Sequence, residues 1–317
     1  MTILVTGASG FLGGAIISRL ADESCAVRAC TRSSLTLNFK TSQFVDICTV
    51  LGLSRVTDWS GALTKVSVVV HCAARVHVMN DKSADPLNEF RAVNVEGTLN
   101  LARQAAAAGV KRFIFISSVK VNGEGTRAGQ AYKESDHSVP QDAYGISKDE
   151  AEQGLRQIAA DTGMAVVIIR SPLVYGPGVK ANFAALMKAV KRGWPLPLGA
   201  IHNQRSLVSL DNLVDLIITC INHPNAANQT FLVSDGHDLS TSELIRIMAK
   251  AAGVKARLIP VPLWFLQLVG RLLRKGAAMQ RLCGNLQVDI AKARNLLGWS
   301  PPVSVEEGVR RAMAGSK

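Results

Sequence analysis

The sequence predicts a doubly wound α/β fold, a parallel sheet wrapped by helices, followed by a smaller, mostly helical C-terminal lobe. Three observations carry this. Short apolar runs at 3–6, 26–31, 66–74, 113–117 and 165–170 alternate with longer amphipathic stretches at 10–21, 85–109 and 143–162. That is the rhythm of βαβ units, whose right-handed crossovers build a doubly wound sheet. The first run passes directly into a glycine-spaced turn, Gly7-Ala8-Ser9-Gly10-Phe11-Leu12-Gly13, and then a helix. After Arg170 the chain is punctuated by Pro172, Gly176, Pro177, Gly178, Gly193, Pro195 and Pro197, so a second lobe is expected to begin at 172.

The helical elements have local reasons. The 85–109 stretch ends on Gly109, a glycine able to close a helix in the left-handed region. Residues 211–222 and 303–314 carry helical apolar periodicity, and 240–253 opens on Ser240 with Glu243 three residues on, the pattern of a capping box. Neither an internal repeat nor a low-complexity segment interrupts the chain.

At 317 residues and 48% hydrophobic positions the chain can bury a full core. Met1 leads straight into a strand without a basic leader or apolar signal region, which predicts a cytoplasmic protein. Six cysteines stand far apart with no CxxC pair, so neither a metal site nor a disulfide framework is expected. The net charge of +12 is compatible with nucleic acid, an anionic membrane surface or a small anionic ligand. With basic residues spread along the chain and aromatics at 5%, a base-stacking surface is not expected, hence no nucleic-acid partner. No apolar run reaches the roughly 20 residues that span a bilayer, so no stable membrane insertion is expected. Residues 260–275 do set apolar residues ahead of basic ones, as an interfacial anchor does, but burial in the second lobe or a subunit contact is the plainer expectation.

Chemistry enters at three places. The glycine turn, after a strand and before a helix, lets backbone N–H groups approach a pyrophosphate at the helix N-terminus. The next strand ends Cys30-Thr31-Arg32 with no acid to receive an adenosine ribose, and Arg32, with Arg28 or Ser33, suits a 2′-phosphate. The cofactor expected is therefore NADP or NAD, with NADP favoured. Finally, Tyr144 and Lys148 lie four apart on one helical face, where an ammonium can favour a phenolate, and Ser118 ends the strand upstream.

Taken together these residues resemble the extended short-chain dehydrogenase/reductase family, in the branch of NAD-dependent epimerases and dehydratases acting on nucleotide sugars. Further matching pieces are His71-Cys72-Ala73-Ala74, Asn94-Val95-Glu96-Gly97-Thr98, Ser117-Ser118, Val174-Tyr175-Gly176-Pro177 and Leu297-Gly298-Trp299. The resemblance implies a Rossmann domain over 1–171, with part of 204–236 returning to it, and a nucleotide-sugar lobe over 172–317. It implies that Tyr144 is the acid/base, that Lys148 holds the nicotinamide ribose and lowers the tyrosine pKa, and that Ser118 orients the sugar C4 oxygen. By the same likeness the cofactor meets Gly7, Ser9, Gly10, Phe11, Leu12, Gly13, Thr31, Arg32, Ala73, Ala74, Arg75, Ser117, Pro172 and Val174 as well as Tyr144 and Lys148. Substrate contacts fall to Lys120, Asn182, Pro197, Leu198, Arg205 and Arg281, with Arg205 the leading diphosphate ligand. His71 and Asn94 are read as structural, and a homodimer is implied.

Departures narrow the reaction. The family's 4,6-dehydratases follow the catalytic hydroxyl with Asp-Glu, whereas Val119-Lys120 stands here, so water elimination is not expected. Thr31 and Gly52-Leu53 replace acidic positions that hold the adenosine in the epimerases. An exchangeable cofactor, and wording such as Arg75-Val76-His77-Val78 and Ser117-Ser118-Val119-Lys120, favour an O-antigen-type reductase of a UDP-4-keto-6-deoxy-N-acetylhexosamine. The alternative is a UDP-glucose or UDP-N-acetylglucosamine 4-epimerase, and a remoter one is a non-catalytic NADP-binding module, which the presence of Ser118, Tyr144 and Lys148 disfavours.

Overall fold

The computed structural model describes residues 1–33, 42–76, 85–272 and 276–315; His77, Val78 and the end of the 260–275 stretch lie outside the described residues. Its strands are β1 (Thr2–Thr6), β2 (Ala26–Thr31), β3 (Val45–Thr49), β4 (Val66–His71), β5 (Arg112–Ser118), β6 (Ala165–Ser171), β7 (Leu173–Tyr175), β8 (Leu207–Ser209) and β9 (Thr230–Leu232). Seven form one sheet in the order β3-β2-β1-β4-β5-β6-β9, and β7 and β8 make a separate pair. All the pairings are parallel. The doubly wound sheet and the mostly helical C-terminal lobe are therefore as expected.

Parallel strands covered on both faces read as continuous apolar runs, and Ile3, Leu4 and Val5 are all fully buried. Their side chains alternate between two layers. Ile3 and Val5 join Ile16, Val70, Ile114 and Leu213 under the helices Phe11–Asp22 and Leu210–Asn222. Leu4 joins Val69, Phe113, Leu101 and Leu155 under Thr98–Ala107 and Ala143–Thr162. A third cluster, including Tyr175, Phe183, Met248 and Val309, fills the C-terminal lobe. The chain crosses into that lobe after β6, then returns to lay Leu210–Asn222 on the sheet and add β9 to its edge.

Several boundaries differ from the sequence reading, each for a local reason. β4 stops at His71 rather than at 74, because Ala73 must leave the sheet to cross the glycine turn. A Cβ on Gly7 would lie 2.9 Å from the Ala73 amide nitrogen. The 85–109 helix is continuous but changes winding, from Pro86–Phe90 through a π-helical Arg91–Gly97 to Thr98–Ala107. Gly97, at the end of the wide turn, abuts Leu53, where a Cβ would come within 2.7 Å of the leucine side chain. Helix Ala143–Thr162 has the expected bounds, capped by the Asp142 carboxylate and closed by Gly163 at φ 73°. The Ser240–Glu243 capping box is formed.

One buried histidine ties the sheet together where the strand order reverses. His71 Nδ1 lies 2.7 Å from Thr6 Oγ1 and Nε2 lies 3.0 Å from Thr98 Oγ1, while the Ala73 N–H donates to Thr6 Oγ1 at 3.2 Å. A neutral ring protonated on Nε2 satisfies all three contacts. Burial, then the neighbouring Lys148 charge, push its pKa down to about 3. Since the unfolded chain takes up this proton first, stability is intact above about pH 6.5 and is lost as pH falls toward 3. By pH 5 the loss amounts to about 2 kcal/mol. Urea unfolding of wild type and His71→Gln should therefore converge between pH 6.5 and 5; parallel curves would refute the assignment.

Candidate active site

The crevice at the carboxyl ends of β1 and β4, where strand order reverses, is where doubly wound sheets bind ligands. Gly7 adopts φ +69°, and the Gly10 N–H donates to the Gly7 carbonyl at 2.8 Å. A Cβ at Gly13 would sit 2.2 Å from that same oxygen, so only glycine lets the helix seat on the turn. Helix Phe11–Asp22 then begins behind Gly10 with no side chain capping its first turn. Its amide groups and positive dipole end fit a pyrophosphate. Ser9, Phe11 and Leu12 are half-buried around the turn, the Ala73 backbone crosses it, and Ala74 and Arg75 follow in the chain. Asn94 holds that crossing: it accepts from the Arg75 N–H at 2.8 Å and donates to the Arg75 carbonyl at 3.0 Å and to Ser147 Oγ at 3.0 Å. The Arg75 side chain turns to Glu89 and the Phe90 ring.

At the tip of β2, Thr31 is buried and donates to the Ser33 carbonyl at 2.9 Å, while Arg32 is exposed. The sequence-based suggestion that Arg28 helps to hold a 2′-phosphate fails. Its guanidinium pairs with Asp46 at 2.8 Å and donates to the carbonyls of Ala62 and Thr64, stitching β2 to the sheet edge.

Around the end of β5 the expected chemical groups converge. Ser118 closes the strand and its Oγ accepts the Lys120 N–H at 3.2 Å. Gly145 brings the tyrosine helix up to this turn, a Cβ there having only 3.0 Å to the Lys120 carbonyl. Lys148, almost fully buried, donates to the Ile116 carbonyl at 2.8 Å, with Nζ 4.4 Å from the Phe115 ring centre and 5.8 Å from that of Tyr144. Phe90 meets the Tyr144 ring edge-on at 6.1 Å. Burial, with Asp142 adding to it, pushes the Tyr144 phenol up to about 12, and burial pulls Lys148 down to about 8. At neutral pH the free chain thus holds a phenol beside an ammonium, a pair able to pass a proton to or from an oxygen placed against Ser118.

Two expected contacts are redirected. Ser117 Oγ does not face the crevice but donates to Glu152 at 2.6 Å. Lys120 is ion-paired with Glu124 at 2.8 Å and with Asp142, so its charge is spent on fixing the start of the tyrosine helix. In the C-terminal lobe, Pro172 and Leu198 are buried, Val174 is half-buried, and Asn182 and Pro197 are exposed. Arg205 donates to the Gly284 carbonyl at 3.0 Å and is held below the usual arginine range by burial and by the nearby Arg281 charge. These two arginines therefore do share a neighbourhood.

The sequence reading missed the group beneath this site. Glu152, fully buried, accepts from Ser117, from Arg170 through Nε at 3.0 Å and Nη2 at 2.7 Å, and from Arg156 at 2.7 Å. Arg170 reaches on to Asn122 Oδ1 at 3.0 Å. The available signal was periodicity, since Tyr144, Lys148 and Glu152 recur every four residues on one face.

A Rossmann crevice with a glycine pyrophosphate turn and a serine, tyrosine and lysine at its reacting end defines an NAD(P)-dependent enzyme of the short-chain dehydrogenase/reductase class. The profile of the NAD dependent epimerase/dehydratase family matches residues 3–234, and the chain belongs to that family. It is 50% identical over 316 residues to a Vibrio cholerae protein named UDP-glucose 4-epimerase, covering 98% of this chain and 94% of the relative. Among solved structures, a UDP-glucuronic acid 4-epimerase from Bacillus cereus in complex with NAD superposes with a TM-score of 0.80 at 22% identity, covering 100% and 98% of the two chains. A UDP-glucose 4-epimerase from Thermus thermophilus in complex with NAD gives 0.79 at 23%, covering 100% and 99%. These structures establish likeness of fold. Among the described residues no helix is long and apolar enough to cross a membrane.

The depressed Lys148 pKa has a measurable consequence. A buried ammonium destabilises the fold until it can deprotonate, so wild-type stability is reduced below about pH 8 and recovers as pH rises toward 10.5. The full penalty is about 3 kcal/mol, offset in part by the bond to Ile116. Lys148→Met should accordingly match or exceed wild-type stability at pH 7 in the absence of nucleotide, and lose that advantage by pH 10. A difference independent of pH, measured by denaturant unfolding, would contradict it.

Proposed function

We propose that this enzyme interconverts the C4 epimers of a UDP-sugar through a 4-keto sugar, with NAD retained in the crevice. The observation that carries the proposal is the 50% identity, along nearly the whole chain, to a relative named UDP-glucose 4-epimerase. It supports the reading that sequence analysis placed second, over the keto-sugar reductase placed first. The site is compatible with it: Val119 and Lys120 supply no acid and base pair for dehydration, and Lys120 is committed to Glu124 and Asp142.

In this mechanism Tyr144, a phenol in the free chain, must ionise before the chemical step; as phenolate it takes the proton from O4 while the C4–H bond breaks and gives it back when that bond re-forms on the other face. A nicotinamide cofactor held by the turn of Gly7, Gly10 and Gly13 and by Lys148 would supply a reversible acceptor for the C4 hydride. The Lys148 ammonium stabilises the phenolate form of Tyr144, and Ser118 holds the reacting oxygen. The sugar must turn between the two transfers, so its grip has to lie on the diphosphate, a role for Arg205 and Arg281. Because the hydride returns to the sugar that gave it, no exchange of cofactor is needed. That consideration and the commitment of Arg28 to Asp46 favour NAD over the NADP suggested by Arg32. The homodimer remains part of the proposal, with the outer faces of Thr98–Ala107 and Ala143–Thr162 as its contact.

Purified enzyme given UDP-glucose or UDP-N-acetylglucosamine, with no added cofactor, should form the corresponding galacto epimer. Tyr144→Phe should lower kcat by roughly 100-fold or more while leaving NAD-induced thermal stabilisation in place. Stoichiometric consumption of NADPH or NADH by a UDP-4-keto-6-deoxy-N-acetylhexosamine, without epimerisation of either UDP-sugar, would replace this reading with the reductase.

A further inference from the structure

The C-terminal lobe carries an apolar face that the active site does not use. Helix Leu263–Leu272 buries Leu266 and Gly270, with Gly270 seated against Met279 of the following helix Gly276–Cys283. Its other side is open. Trp264 is 66% exposed and Leu272 74%, with Leu263, Phe265 and Leu268 also exposed. At 100° per residue, Trp264, Phe265, Leu268 and Leu272 fall within one arc of about 100°. Arg271 lies beside that arc. Ile259, four residues before the helix, is exposed as well. Isolated exposed leucines are ordinary, but a contiguous set on one helical face is uncommon in a free surface.

Charge says what this face meets. From 244 to 288 the chain has eight Lys or Arg and no Asp or Glu, and from 162 to 210 it has six basic residues and again no acid. These two acid-free stretches meet just before the helix begins. The Leu196 N–H donates to the Arg257 carbonyl, and the Ile259 N–H to the Leu196 carbonyl, each at 2.8 Å. Exposed Lys255 and Arg257 on one segment therefore flank the exposed Lys191 and Arg192 that lead into the other. Arg192 stacks on the half-exposed Trp194, its guanidinium 5.4 Å from the ring centre.

We infer that the helix Leu263–Leu272 docks this enzyme on the surface of an anionic phospholipid bilayer. The apolar arc enters the boundary between headgroups and acyl chains. Trp264 lies at headgroup depth, and the surrounding lysines and arginines face the lipid phosphates. At about 15 Å, ten residues of helix are too short to cross the hydrocarbon layer, so the helix lies along it. The docked helix leans directly on the one that carries Arg281, so the substrate lobe faces the membrane.

The test is density flotation of the purified full-length chain with vesicles of phosphatidylglycerol and phosphatidylethanolamine, against vesicles of phosphatidylcholine. The floating fraction should be at least fivefold higher with the anionic vesicles, and largely lost in 0.5 M salt as screening shortens the reach of the basic residues. Trp264→Ser combined with Leu268→Ser should reduce it at least fivefold, leaving thermal midpoint and turnover of a soluble UDP-sugar unchanged. No flotation above a vesicle-free blank would overturn the inference. So would undiminished flotation of the double variant. The third refuting result is a dimer in sedimentation velocity that the same variant dissolves without vesicles, which would assign the face to a second copy.

Discussion

Glu152 is the buried charge on which the geometry of the reacting end depends. Its carboxylate has no exposed surface, and an uncompensated charge there would cost several kcal/mol, yet it is met by Ser117, Arg170 and Arg156. These partners come from β5, β6 and the tyrosine helix itself. The helix is therefore pinned to the sheet one turn beyond Lys148, and the pin acts on the strand that ends in Ser118. Lys148 bonds the same strand at the Ile116 carbonyl. With Asp142 capping the first turn and held by Lys120, the helix is fixed at its start, at Lys148 and again at Glu152. Tyr144 lies between the first two anchors, so its position is set by contacts that do not involve the reacting atoms.

The opposite side of the crevice depends on steric exclusion. Gly7, Gly13 and the Ala73 backbone approach more closely than any Cβ permits. The buried pair of threonines around His71 then locks the ends of β1 and β4 to Thr98. Because Asn94 clamps Arg75 and also bonds Ser147, the loop over the glycine turn is tied to the tyrosine helix. A displacement of the loop over the glycine turn would thus be felt at the tyrosine helix, because the two are coupled by hydrogen bonds within the protein.

How much of this was legible in the sequence follows from what each residue signals. The five long strands and the helix Ala143–Thr162 were readable because burial on both sheet faces and a capped amphipathic pattern leave periodic signatures. β3 was missed because an edge strand is half exposed and its Val45-Asp46-Ile47-Cys48-Thr49 lacks a clean pattern. β7, β8 and β9 have three residues each, too few for any period. At the candidate site, spacing set Tyr144 and Lys148 on one helical face and a strand end marked Ser118, but neither signal could say which way a side chain turns. Ser117 and Ser118 are adjacent and chemically alike, and only the alternation of β5 sends one to Glu152 and leaves the other at the crevice. Lys120 is a similar case: a lone lysine next to a strand-end serine reads as a substrate contact, and its two carboxylate partners, Glu124 and Asp142, are visible only in the fold.

Several matching family pieces turn out to be joints of the fold. Tyr175 is fully buried, donates to Asp235 at 2.7 Å and stacks on Phe183, while Asp235 also receives Asn212 and the Ser209 N–H. Trp299 donates to Asp215 at 2.9 Å, joining the C-terminal segment to the helix Leu210–Asn222. These contacts make the C-terminal lobe continuous with the sheet. The positive charge of the lobe is divided between two places. Arg205, drawn inward and bonded to the Gly284 carbonyl, faces the interior of the lobe, whereas Lys191, Arg192, Lys255 and Arg257 are exposed outside it. A half-buried arginine loses less of its field to salt than surface lysines do. In its proposed role on a nucleotide diphosphate, Arg205 should therefore be less sensitive to ionic strength than anything the outer face attracts.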